Sequence, residues 1–106
     1  MNNEAIRKIA DHYGFHAQSR QLAEECAELT VAVNKYYRKC DKLTFTPREH
    51  LDIQHCVSNI AEEIADVSIM LEQMKYLLNI SNDDINKVID RKLNRQLERI
   101  KKENFK

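Results

Sequence analysis

Two stretches of this chain spell nearly the same acidic phrase. Leu22-Ala23-Glu24-Glu25-Cys26-Ala27-Glu28-Leu29 and Ile60-Ala61-Glu62-Glu63-Ile64-Ala65-Asp66-Val67 agree at four positions and keep their character at the other four. The echo continues, with Thr30-Val31-Ala32-Val33 matching Ser68-Ile69-Met70-Leu71. On a helix each residue turns by about 100°, so from Leu22 as origin Glu25 falls near −60° and Glu28 near −120°. Glu63 and Asp66 take the same angles from Ile60, while Glu24 and Glu62 point further outward. If the two helices pack antiparallel, Glu25, Glu28, Glu63 and Asp66 converge on one volume. Four carboxylates so placed repel and raise one another's pKa unless a positive charge lies between them. A divalent cation is the usual remedy. Oxygen ligands without Cys or His suit magnesium, or manganese in its place, rather than zinc. A lone Glu-Glu-x-x-Glu is ordinarily a solvated helix face; the second copy at matching phase favours a metal site.

The apolar spacing predicts four helices to position these groups. The first spans about Asn3 to Tyr13, carries Ile6, Ile9 and Ala10 on one face, packs as a lid, and is stopped by Gly14. The second runs from about Ala17 to Lys39 on Leu22, Cys26, Leu29, Val33 and Tyr36. Cys40 to Thr46 breaks the pattern. Thr46-Pro47-Arg48-Glu49 then reads as N-cap, proline at the first helical position and capping-box glutamate, opening a third helix that runs to about Asn79 on Ile60, Ile64, Val67, Leu71, Met74 and Leu78, with a bend or restart before Ser58. Ser81 or Asn82 caps the fourth, Asp83 and Asp84 suit its dipole, and Ile85, Ile89, Leu93, Leu97 and Ile100 form its stripe. The last few residues are expected to fray.

Composition agrees. With 106 residues, one Gly, one Pro and no Trp, the turns of a β-rich fold are in short supply, and the expectation is a single all-α domain over residues 1–106. A chain of this size builds one core, so a deep pocket calls for a partner subunit and the bundle is expected to be completed by self-association. No apolar run approaches the roughly 18–20 residues of a membrane span, and the N-terminus lacks the core of a signal peptide, so the expected location is the cytoplasm. Cys26, Cys40 and Cys56 match no zinc or disulfide framework and read as reduced thiols. The 17 basic and 17 acidic residues balance, giving no global attraction to nucleic acid or an anionic membrane.

Charge is uneven locally. Between Lys87 and Lys102 seven cations face only Asp90 and Glu98. Lys92 and Arg99 fall within the angular span bounded by Val88 and Ile89, with Arg95 just outside. Cations beside an apolar stripe either snorkel over it or bind an anion, and set against metal-loaded carboxylates they suit a polyphosphate.

At these residues the sequence resembles the MazG-like branch of the all-α nucleoside triphosphate pyrophosphohydrolases. The family's mark is Glu-Glu-x-x-Glu followed by Glu-x-x-Asp on a later helix, matched by Glu24-Glu25-Cys26-Ala27-Glu28 and Glu63-Ile64-Ala65-Asp66. The resemblance runs from about Tyr13 to Arg99 and takes in Gln18, Gln21 and Lys92-Leu93-Asn94-Arg95. It implies a MazG-like helical bundle, usually dimeric or tetrameric, that hydrolyses a nucleoside triphosphate, here most simply a deoxynucleotide, to the monophosphate and pyrophosphate with magnesium. Glu25, Glu28, Glu63 and Asp66 would be the metal ligands and Glu24 a base or outer member of the catalytic set. Lys92 and Arg95 would hold phosphate oxygens, with Gln21 and Arg99 further substrate contacts. The stretch between the two motifs is longer than in compact members, and Gln96 stands where many relatives carry a second Arg, leaving that contact to Arg99 or unmade. The alternative is a non-catalytic nucleotide-binding or regulatory protein of the same fold; a plain helical oligomerisation module accounts least well for the echo.

Other residues carry less. His12, His16, His50 and His55 make no metal pair with the acidic cluster, and Asp52-Ile53-Gln54-His55 is half of a di-iron motif with no second copy. Tyr36 and Tyr37 read as core or subunit contacts before they read as base-stacking residues, and His16, Gln18, Gln21 and Tyr37 are the candidates for reading a base. Met70 and Met74 read as core fillers.

Overall fold

In a computed structural model, residues 1–41 and 46–104 are described, and among them every regular element is a helix: α1 (Asn3–Asp41), α2 (Pro47–Leu77) and α3 (Asn82–Asn104). Asn2 caps α1, its Oδ1 accepting from the Ala5 amide at 3.0 Å. The expected stop at Gly14 is a one-residue break inside α1 and not a connection to Ala17. Gly14 sits at φ 82°, ψ 170°, a region essentially closed to residues with a Cβ, and the chain resumes helix at once. The arm before it packs on the far end of α2: Ile6 and Ala10 are buried, the Tyr76 hydroxyl donates to the Asp11 carboxylate at 2.9 Å, and the Arg7 guanidinium lies 5.7 Å from the Tyr76 ring centre. Acceptance by that carboxylate holds the Tyr76 phenol above its ordinary pKa.

α2 starts as its sequence dictates. Thr46 is in extended conformation, its Oγ1 accepts from the Glu49 amide at 3.3 Å, and Pro47 opens the helix. The helix then runs unbroken to Leu77, without the bend expected before Ser58. Asn79 ends it in left-handed conformation (φ 56°), with the Ile80 amide bonded to the Lys75 carbonyl and the Asn79 amide to that of Tyr76, a Schellman cap. Ser81 caps α3, Oγ accepting from the Asp84 amide at 3.1 Å.

α1 and α2 form an antiparallel hairpin in steady register: Gln18 opposite Gln73, Glu28 opposite Glu63, Lys39 opposite Asp52. Its seam alternates by threes and fours. On α2 it takes Ile53, Cys56, Ile60, Glu63, Val67, Met70 and Met74, and on α1 Gln18, Leu22, Glu25, Leu29, Ala32 and Tyr36, all buried or half-buried. The expected α2 stripe is therefore shifted in part. Val57, Ile64, Leu71 and Leu78 recur every seventh residue along a second row, each about half exposed. The core includes Met70 and Met74, as their type suggested, and the three cysteines are free thiols.

α3 does not pack along the hairpin, and none of its residues is buried. Ile89, Leu93, Leu97 and Ile100 are 46–56 % exposed. The chain consequently has a radius of gyration of 18.3 Å, against about 13 Å for a compact domain of its length. No helix is long and apolar enough to cross a membrane among the described residues.

Candidate metal centre

The antiparallel register brings part of the acidic echo together. One carboxylate oxygen from each of Glu25, Glu28 and Glu63 lies within 4.8 Å of the other two. Glu25 and Glu63 belong to the seam itself and are half-buried, while Glu28 is exposed at its edge. The Oε2 atoms of Glu25 and Glu63 are buried without a hydrogen-bond partner. Glu25 is held at its other oxygen, Oε1, by the Gln21 amide at 2.7 Å. None of the three acids makes an ion pair among the described residues. Repulsion from Glu25, then from Glu63, raises the Glu28 carboxyl above its ordinary pKa, with burial and proton sharing with either neighbour adding to the shift.

Asp66, expected as the fourth ligand, is exposed and lies outside this trio. The register sets it level with Glu25, but three residues beyond Glu63 its Cα–Cβ bond turns about 60° around the α2 axis, out of the seam. Glu24 is exposed and points outward, as its angle predicts. Lys92, Arg95, Gln96 and Arg99 are exposed on α3, which the protomer does not fold beside the acids. Gln21 is placed to orient Glu25. Gln18 is buried, its amide donating to Gln73 Oε1 at 2.6 Å, which removes it as a base reader. His16 and Tyr37 are exposed, and Asp52 is engaged by Lys39 at 3.7 Å.

Two residues outside the sequence reading belong here. Beside the acids a groove of about 370 Å³ is lined by Ala27, Val31, Ala32, Glu28 and Glu63, with Lys35 and Asn59 supplying its other polar groups. Lys35 follows Glu28 by seven residues and Asn59 precedes Glu63 by four, so helical phase alone would have put both on the site's face.

Buried carboxylate oxygens without donors, and a neighbour driven toward protonation, are chemically suited to a hard divalent cation. Such an arrangement can also persist by holding a proton. No family model, curated protein or solved structure matches this chain.

Proposed function

We propose that the α1–α2 hairpin is the catalytic unit of a magnesium-dependent, MazG-like nucleoside triphosphate pyrophosphohydrolase. Water adds to phosphorus, the P–O bond at the α–β bridge breaks, and monophosphate and pyrophosphate leave. The observation that carries this reading is the meeting of Glu25, Glu28 and Glu63 across the seam with two buried carboxylate oxygens lacking donors. These residues would hold the cation, and manganese would substitute for magnesium. Asp66, level with Glu25 but turned out of the seam, would join them only by swinging its side chain inward. A cation there would acidify its bound water and offset phosphate charge. Gln21 fixes the rotamer of Glu25, and Glu24 is the exposed carboxylate available to take a proton.

Self-association belongs to the same proposal. The chain exposes 8701 Å², whereas a compact monomer of 12.5 kDa exposes roughly 6,200 Å². That difference is on the scale each partner loses in a large obligate interface. The bare α3 stripe and the Val57–Leu78 row are the surfaces such a dimer or tetramer would cover, and docking α3 on a second copy would bring Lys92, Arg95 and Arg99 toward its carboxylates.

The test is incubation with ordinary and deoxy nucleoside triphosphates, with and without magnesium, resolving monophosphate plus pyrophosphate from diphosphate plus phosphate. The expected result is magnesium-dependent pyrophosphate release, reduced by Glu63→Gln about a hundredfold or more at unchanged helicity. A non-hydrolysing nucleotide-binding protein is the second reading, favoured by the separation of α3's cations from the acids within one protomer. It predicts nucleotide and magnesium binding in calorimetry with no product.

A further inference from the structure

The cations that the sequence offers for a phosphate chain lie on α3, away from the carboxylates of their own protomer. A cation nearer the acids is Lys35. It lines the groove that also contains Glu28 and Glu63, and it lines the next groove along the hairpin, of about 450 Å³, with Arg38, Lys39, Glu49 and Asp52. Lys35 thus lines both grooves, the one that holds Glu28 and Glu63 and the one in which Arg38 and Lys39 stand beside Glu49 and Asp52. Lys39 is drawn off by Asp52 at 3.7 Å, whereas Lys35 makes no ion pair among the described residues, although Glu28 and Glu63 share its groove and Glu49 and Asp52 the next.

Helix geometry gives this cation its reach. Residues seven apart differ by only about 20° around the axis and lie roughly 10 Å apart along it. Helical side chains lean toward the N-terminus, which is the direction of Glu28 from Lys35, so a four-carbon stem at this position has the reach to present its ammonium to an anion held near Glu28 and Glu63. Ala27, Val31 and Ala32 line the rest of the groove with small or apolar groups, and the Asn59 amide adds a neutral donor. A groove lined by two acids and by an ammonium that makes no ion pair among the described residues suits an anion that ligates a cation with one end and meets Lys35 with the other.

We propose that Lys35 is the hairpin's own phosphate contact, holding the β- and γ-phosphates of the triphosphate, and afterwards pyrophosphate, against the metal-bearing carboxylates. The inference rests on the metal-site reading above and adds to it that a protomer needs no α3 residue to engage the phosphate tail. Charge-assisted contacts of an ammonium to phosphate have the strength to matter here even at a partly exposed site, and they weaken with salt.

The experiment uses the full chain, manganese, and inorganic tripolyphosphate as probe, measured by calorimetry at low and at moderate ionic strength. Lys35→Gln should leave manganese affinity within about twofold of the parent and weaken tripolyphosphate binding about tenfold or more, with a shallower salt dependence. Lys35→Arg should restore most of the loss, and helicity should match the parent in both variants. Equal tripolyphosphate binding by Lys35→Gln and the parent, with manganese bound by both, overturns the role of Lys35 and leaves the metal site standing. Failure of the parent chain to bind manganese overturns the metal reading and this inference with it.

Discussion

The hairpin and α3 are both amphipathic, and the chain treats them differently. Along α1 and α2 the seam closes on itself: Leu22, Leu29, Ile60, Val67 and Met70 meet their counterparts, and polar layers at Gln18–Gln73 and at the three glutamates sit between them. α3 carries as regular an apolar row, yet Leu93 and Leu97 remain more than half exposed. Periodicity states that a face needs cover and does not state which surface provides it. A short turn closed by Asn79 and Ser81 delivers α3 away from the hairpin, which leaves its row uncovered within the protomer; the self-association proposed above would supply the cover.

The sharpest way to break this contrast is to charge α3's row. Each leucine buried in an interface contributes about 1.5–3 kcal/mol, so replacing Leu93 and Leu97 together by Asp should raise the dissociation constant by a thousandfold or more. Light scattering should then report the 12.5 kDa protomer where the parent reports a multiple of it. Helicity of the hairpin should persist, because none of α3's residues is buried in it. A parent chain that is itself monomeric at high concentration would remove self-association as the cover for this face.

How much of this was legible in the sequence follows from the same contrast. The signals that act within one or two turns could be read: Thr46-Pro47 at the head of α2, Gly14 as a break, Ser81 as a cap, and the phase of the acidic echo along each helix. What could not be read depends on which of two apolar rows a neighbour selects. α2 offers Ile60, Val67 and Met74 in one row and Val57, Ile64 and Leu71 in another, and the hairpin uses the first. That choice puts Glu63 in the seam and turns Asp66 out of it, where the sequence set the two acids as equals. It also buries Gln18, which the sequence offered as a base-reading candidate, because its partner Gln73 lies 55 positions away and only the register joins them.

The Gln18–Gln73 layer permits a finer comparison, between a polar pair that is satisfied and the acidic layer that is not. Gln73 is 1 % exposed, accepts from Gln18 and lies 3.8 Å from the Met70 sulfur. Gln73→Met keeps its volume but leaves the Gln18 amide without its acceptor, a loss of about 1–3 kcal/mol. Adding Gln18→Met should recover much of it, because removing both partners removes the unmet donor. Urea unfolding at fixed protein concentration checks both. Equal stability of the two variants would mean that the layer is solvated and carries no pairing energy.

The acidic layer should show the opposite behaviour in its dependence on pH. Repulsion from Glu25 and Glu63 raises Glu28 above its ordinary value of 4.5, so the folded chain holds that proton more tightly than the unfolded one. The stability this contributes is fully present below the unfolded value and is lost as the pH rises through the raised folded value. Metal-free protein should therefore lose a small increment of stability between about pH 4.5 and neutrality, one that Glu28→Gln abolishes. On the proposed metal reading, magnesium would replace the proton as the neutralising charge, so the gap between loaded and metal-free protein should widen over the same interval in the parent and narrow in the variant. Urea midpoints taken across that range with and without magnesium decide it. If the parent and Glu28→Gln trace parallel curves, the three carboxylates do not repel one another in solution, and the hairpin's acidic layer is an ordinary solvated edge.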